Sequence, residues 1–302
     1  MELDKKIKKM KILVTDDFTN MRRTIKNMLR QIGFEHIEEA DDGDTAMQKL
    51  QTGTFNFLVL DWNMPRMPGI QVVRAVRSDS NLRYLPILMV TAENWEDEIV
   101  EAAEEDVNGY IIKPFVTKTL ENKIVEILEK AKNPPEGEVM FNKGRDFLHN
   151  KKYDEAIAEF EKALKIKPNS AKATYYLGLA YFEKGDIDKA EETLKKAITY
   201  NARYVKAHHS LGDVLIKKGD IKGAISHLEQ ATAISPRIPQ RQLLLGGLYI
   251  REKRFKDTIP VFKKAIEHSF NLTETKEKIK ELVKDLPDSE KAIFKNEMSI
   301  DL

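Results

Sequence analysis

The chain has 302 residues, 41% hydrophobic and 33% charged, a length and balance that suit about two soluble, helix-rich domains. Its 50 basic and 49 acidic residues leave a net charge of +1, with −4 on residues 1–133 and +5 on the rest. So mild an asymmetry selects neither nucleic acid nor a membrane surface. The absence of cysteine excludes disulfides, thiolate chemistry and cysteine-based zinc sites.

The N-terminus, MELDKKIKKMKILVTDD, has too short an apolar run for a secretory signal, and nothing in the chain reaches the ~18 apolar residues of a spanning helix. A cytoplasmic protein without membrane insertion is expected. Short apolar runs at Ile12–Val14, Phe57–Leu60, Ile87–Val90 and Tyr110–Ile112 are continuous, as in strands buried on both faces of a parallel sheet. A weaker run, His36–Ala40, reads as an edge strand. Helical spacing lies between them: Met21, Ile25, Met28, Leu29 and Ile32 ending at Gly33; Ala46, Met47 and Leu50; Val72, Val73 and Val76; Ile99, Val100, Ala102 and Ala103; Leu120, Ile124, Ile127 and Leu128. This alternation predicts an α/β doubly wound, flavodoxin-like sheet of five parallel strands, which binds ligands at the carboxyl ends of its strands.

Five chemically capable residues stand at those ends: Asp16, Asp17, Asp61, Thr91 and Lys113. Singly each has a plain reading, as a helix cap, a turn residue or a surface lysine. Together, three carboxylates repel and call for a cation or protons. All-oxygen ligands suit magnesium, which takes one or two carboxylates and keeps several waters. A carboxylate beside such an ion can attack phosphorus, with lysine and hydroxyl stabilising charge on the transferred oxygens.

The strings VTDDFTNMRR, EEADDG, LDWNMP, LMVTAEN and GYIIKPF make residues 8–131 resemble a CheY-like response-regulator receiver domain. The resemblance implies that Asp61 is the phosphoacceptor, used by a cognate histidine kinase or a small phosphodonor. It implies Mg2+ held by Asp17, Asp61 and the Asn63 backbone carbonyl, with Asp16 acting through water. Thr91 and Lys113 would stabilise the phosphoryl group, Lys113–Pro114 would be a cis bond, and Tyr110 would swing inward behind Thr91, unless it is simply a half-buried core aromatic. Asn63 and Glu93 would tune dephosphorylation. The chain departs from the CheY pattern at Pro68, where the family usually has aspartate, at Asp106, where a small residue is usual, and at Trp95 and Glu96, where CheY carries lysines. The motor-binding surface therefore does not carry over cleanly, and the resemblance leaves binding to the flagellar switch open.

Pro134–Pro135 breaks the helical pattern, so the receiver is assigned to residues 1–132 and a linker to 133–136. Beyond it KGRDF, LGLAY, LGDVL and LGGLY recur every 34 residues, as do Ala156, Ala190, Ala224 and Thr258, then Phe160, Leu194, Leu228 and Phe262, then Ala163, Ala197, Ala231 and Ala265. Small and large residues at this period resemble the tetratricopeptide repeat, in four units, 137–170, 171–204, 205–238 and 239–272, with a capping helix and tail over 273–302. Pro260 is expected near a helix start.

The resemblance implies an all-α solenoid whose concave face carries Phe141, Asn142, Arg145, Lys172, Tyr175, Tyr176, Leu179, Phe182, His209, Asp213, Ile216, Leu243, Leu244 and Ile250. Tyr175, Tyr176 and Phe182 would offer exposed aromatics to a protein or peptide, or Tyr175 and Tyr176 would pack between units. Asn142 alone does not meet the carboxylate-clamp pattern. The expected function is a two-component response regulator whose Mg-dependent phosphorylation controls a repeat-borne interaction, with chemotaxis or motility among the pathways it would serve. The alternative is a constitutive scaffold with the receiver as docking or dimerisation module. An enzyme acting beyond its own aspartyl phosphate is not expected, for want of a general acid, nor is a DNA-binding regulator, for want of a helix-turn-helix.

Overall fold

The computed structural model describes residues 5–92, 106–269 and 271–298. It divides into two compact units, Met1–Pro134 and Pro135–Leu302. The helical pattern of Ile99–Ala103 and the residues Glu93, Trp95 and Glu96 lie outside the described residues.

In the first unit, after one helical turn at Lys5–Lys8, five strands alternate with helices: β1 (Lys11–Thr15), α1 (Thr19–Ile32), β2 (His36–Ala40), α2 (Gly43–Thr52), β3 (Phe57–Asp61), α3 (Gly69–Ser78), β4 (Ile87–Thr91), β5 (Gly109–Ile112) and α4 (Thr117–Lys132). The strands pair in parallel in the order β2-β1-β3-β4-β5. Successive side chains point to opposite faces. Leu13, Leu58, Leu60, Ile87 and Met89 pack with Ala46 and Leu50 of α2 and Val72, Val73 and Val76 of α3. Ile12, Val14, Phe57, Val59, Leu88, Val90 and Ile111 pack with Ile25 and Leu29 of α1 and Leu120, Ile124 and Ile127 of α4. This is the doubly wound sheet read from the apolar runs. The edge strands β2 and β5 are only partly buried, and Tyr110 on β5 is 43% exposed, because an edge strand lacks a neighbour on one side.

The second unit consists of helices: α5 (Glu136–His149), α6 (Tyr153–Ile166), α7 (Ala171–Lys184), α8 (Ile187–Tyr200), α9 (Val205–Lys218), α10 (Ile221–Ile234), α11 (Pro239–Arg251), α12 (Phe255–Glu267), α13 (Leu272–Val283) and α14 (Asp288–Met298). The first eight form four successive pairs. In each pair a small residue of the first helix faces a large one of the second: Gly144 on Phe160, Gly178 on Leu194, Gly212 on Leu228 and Gly246 on Phe262. Ala156, Ala190, Ala224 and Thr258 are fully buried beside them, the Thr258 hydroxyl donating to the Arg254 carbonyl. Pro260 lies inside α12, in its second turn rather than at the helix start. Its ring leaves the Lys256 carbonyl without an in-helix donor, the usual penalty of an interior proline.

Candidate functional site

The carboxyl ends of β1, β3, β4 and β5 converge, since all strands run the same way. Asp61 is the last residue of β3 and Thr91 the last of β4, while Asp16 and Lys113 directly follow β1 and β5. Trp62 N–H donates to the Val90 carbonyl and Lys113 N–H to the Thr91 carbonyl, at 2.9 and 2.7 Å, so the ladder extends to the site. Three of the residues are buried: Asp16 is 0%, Thr91 4% and Asp61 5% exposed.

Lys113 is the hub. Its Nζ donates to Asp16 Oδ2 at 2.8 Å and to Asp61 Oδ1 at 2.6 Å. Burial alone would lower the Lys113 pKa, but these two hydrogen bonds more than offset it and hold the ammonium above its ordinary value. Burial pushes the Asp61 carboxyl up; Lys113 pulls it down, Asp16 and Asp17 push it up again, and it rests at about 6. The Lys113–Pro114 bond is cis, and Pro114 is exposed.

The loop after β3 is shaped around Asp61. Trp62 and Met64 turn inward and are buried, while Asn63 is exposed on the rim. Gly69 N–H donates to the Trp62 carbonyl at 3.0 Å, and a Cβ on Gly69 would lie 2.0 Å from the Asp61 carbonyl oxygen. No other residue fits there without moving the strand end. Pro68 is the N-cap of α3, extended at φ −62° and ψ 156°, with no side-chain cap. Its missing N–H is no loss at that position, and its carbonyl accepts from Gln71 and Val72. Asp106 has φ +57°, which explains the family's small residue there: glycine takes this left-handed conformation freely and aspartate tolerates it.

Asp16 Oδ1 accepts from Phe18 N–H at 2.9 Å, so Asp16 ties down the turn before α1 but does not cap the helix, whose N-cap is Phe18. Arg22, to which the sequence reading gave no role, donates from Nη1 to the carbonyls of Asp16 and Asp17 at 2.7 and 3.1 Å. Its signal was its place one turn into the helix that follows the acidic pair.

The described residues hold no group of three or more His, Asp or Glu side chains gathered as ready metal ligands; Lys113 stands between Asp16 and Asp61 instead. Asp17 Oδ1, however, is buried with no hydrogen-bond partner. An unpartnered carboxylate oxygen beside two lysine-bridged carboxylates is an all-oxygen donor set. It fits a hard cation that takes one or two carboxylates and keeps its waters. Glu93 lies outside the described residues.

In the repeats the expected groove residues divide. Arg145, Lys172, Leu179, Phe182, His209, Asp213, Ile216, Leu244, Ile250, Asn142 and Tyr176 are half-buried. Phe141, Tyr175 and Leu243 are core residues, 7%, 7% and 8% exposed, rather than groove residues, so of the two readings for the tyrosines the one in which they pack between units holds. Tyr175 packs edge-on against Tyr176 and Tyr204 at 5.1 and 5.3 Å, and Tyr176 edge-on against Phe141 at 5.1 Å. Aromatic rings fill the space between units, and cations lie over three of them: Lys172 Nζ 4.9 Å from the Phe141 centroid, the Arg145 guanidinium 5.4 Å from that of Tyr176, and Lys217 Nζ 5.2 Å from that of Phe182. His209 Nε2 lies 3.7 Å from Asp213 Oδ2. Burial, helped by Arg241, lowers the His209 pKa to about 4, and burial raises Asp213 to about 6.

The family model described as Response regulator receiver domain matches residues 12–125, and Tetratricopeptide repeat models match residues 147–211 and 205–238. Chemotaxis protein CheY of Pseudomonas aeruginosa is 57% identical over 122 residues, which are 40% of this chain and 98% of that protein. Chemotaxis protein CheY-3 of Vibrio cholerae is 52% identical over 123 residues, 41% of this chain and 95% of that protein. Among solved structures, chemotaxis response regulator CheY4 of Vibrio cholerae is 33% identical, with a TM-score of 0.38, over 39% of this chain and 98% of its own.

Proposed function

The chain belongs to the response-regulator receiver family and carries tetratricopeptide repeats behind its receiver domain, and from that premise we propose that phosphorylation of Asp61 switches what the repeats bind. A receiver of this type is a signalling domain. The observation that carries the reading is the burial of Asp61 at a strand end, with the Lys113 ammonium at 2.6 Å and an unpartnered Asp17 oxygen in the same cluster.

An Asp61 carboxylate oxygen attacks the phosphorus of a kinase phosphohistidine or a small acyl phosphate. The bond from phosphorus to the donor breaks, an aspartyl phosphate forms, and a histidine donor leaves as imidazole after taking a proton from solvent. Lys113 then shifts its hydrogen bond from the carboxylate to a phosphoryl oxygen, and Thr91 donates its hydroxyl to another. Asp17, Asp61 and the Asn63 carbonyl would hold Mg2+, with Asp16 acting through water. When bound, the ion supplies charge neutralisation for the approaching phosphate. Hydrogen bonds to charged groups contribute about 1.5–3 kcal/mol each. Two new ones approach the ~5.5 kcal/mol that inverts a 1:99 equilibrium. Tyr110 is exposed, and the family resemblance implies that it swings inward behind Thr91 on phosphorylation.

The half-buried face of the repeats offers the output surface to a protein partner. The test is phosphate incorporation from acetyl phosphate in the presence of magnesium. Wild type is expected to incorporate and Asp61→Asn not to; incorporation by both would place the acceptor elsewhere. Partner affinity that is the same with and without beryllofluoride would point instead to a constitutive scaffold.

A further inference from the structure

In the third repeat the fourth residue, on the first helix, is set against the twenty-third, on the second. These are His208 on α9 and His227 on α10. The rings are inclined by 39° with centroids 5.4 Å apart, and the two Nδ1 atoms face each other at 3.2 Å. His208 is 1% exposed, and its Nε2 lies 3.0 Å from the Ala202 carbonyl oxygen. A carbonyl only accepts, so that nitrogen carries the hydrogen. The other ring nitrogen, Nδ1, is the one that faces His227. Fixing an imidazole by its far N–H on a backbone carbonyl is how metal-bound histidines are oriented.

The spacing agrees. Two nitrogens 3.2 Å apart, each ~2.05 Å from a common ion, subtend about 103° at it, near the tetrahedral angle. His227 is half-buried, so its ring can tilt toward such an ion, and water can fill the remaining positions. The described residues place no third His, Asp or Glu with the pair as a ligand.

We propose that His208 and His227 form a two-imidazole site for a divalent transition-metal ion of the zinc, nickel or copper class, clasping α9 to α10 in the third repeat. Imidazole suits these ions, whereas magnesium takes oxygen ligands, so the site is chemically distinct from the receiver carboxylates. Without metal, His227 Nδ1–H donates to His208 Nδ1. Binding moves the His227 proton to Nε2 through solvent, so the ring stays neutral and no net proton is released. The proposal does not depend on the phosphorylation reading.

The test uses the full chain in excess magnesium, titrated calorimetrically with Zn2+ and with Ni2+, and examined by Cu2+ electron paramagnetic resonance. The expected result is one ion per chain, two coordinated ring nitrogens, affinity weakened at least about tenfold in His227→Gln and unchanged in Asp61→Asn. His227 is half-buried, so this variant is expected to fold, which circular dichroism checks. His208→Gln gives a second reading, and the copper spectrum of wild type stands apart from any variant. Equal affinity in wild type and His227→Gln, loss in Asp61→Asn alone, no detectable uptake of any of the three ions, or a copper spectrum without two ring nitrogens would each overturn the assignment. The pair would then be only a hydrogen bond between two helices.

Discussion

Two carboxylates, Asp61 in the receiver and Asp213 in the third repeat, are both raised to about 6, and they get there differently. Burial lifts Asp213 by itself; His209, whose Nε2 is 3.7 Å from its carboxylate, is depressed to about 4 and so is neutral at pH 7. At Asp61 burial is opposed by an ammonium at 2.6 Å and reinforced by two further carboxylates. The same displacement thus marks a buried cluster of opposed charges in one place and a carboxyl shifted by desolvation in the other. A raised carboxyl is informative about function only with its neighbours named.

Removing the hub tests the first half of this contrast and has the largest expected effect on stability. Lys113→Met leaves Asp16 and Asp61 buried without their cation and is expected to cost about 3 kcal/mol in urea denaturation without metal. Magnesium should restore part of it. A loss below ~1 kcal/mol would mean that the pair is better solvated than its burial implies.

A second comparison runs along the repeats. The Cβ of Gly246→Ala would lie 2.2 Å from the Phe262 ring, that of Gly212→Ala 3.0 Å from Leu228. Overpacking should make the first about 2–3 kcal/mol destabilising, whereas helix propensity offsets most of the second, leaving about 1 kcal/mol or less. Equal thermal midpoints for the two would show that the units close equally easily.

Asp213→Asn probes the desolvated carboxyl. The folded Asp213 pKa of about 6 exceeds the ordinary 3.8, so the folded state holds the proton more tightly and stability falls as pH rises from 3.8 through 6. Asparagine removes that loss. The variant should exceed wild type by about 1 kcal/mol at pH 7.5, after discounting for partial exposure, and match it near pH 4. His209 acts in the opposite sense: with its pKa lowered to about 4, its contribution is complete above pH 6.5 and lost as pH falls toward 4. An Asp213→Asn advantage that does not vary with pH would assign it to packing.

The smallest expected effect is at Pro68. Pro68→Asp adds an N-cap side chain to α3, about 0.5–1 kcal/mol, and gives up a similar restraint on the unfolded chain. Net stability should move by less than ~0.5 kcal/mol. Phosphorylation accelerated more than about tenfold, ~1.4 kcal/mol, would show that the stiff loop limits the transfer.

Much of the molecule is legible in the chain alone, because periodicity and strand ends are local properties. Continuous apolar runs announce strands buried on both faces, and the residue after each run is placed at the sheet edge by chain direction. The 34-residue spacing announces the helix pairs and their small-on-large contacts. Only tertiary structure decides what depends on distant neighbours. Lys113 bridges Asp16 and Asp61 across 97 and 52 residues of chain, and Arg22 closes over the carbonyls of the acidic pair. Tyr175 has the spacing of a groove residue but is buried by Tyr176 and Tyr204. His208 and His227 occupy unremarkable positions in the period, and they face each other because two helices fold back at one distance. A period specifies which face a residue shares; how far that face is desolvated, and what charge meets it there, is set by the element that packs against it.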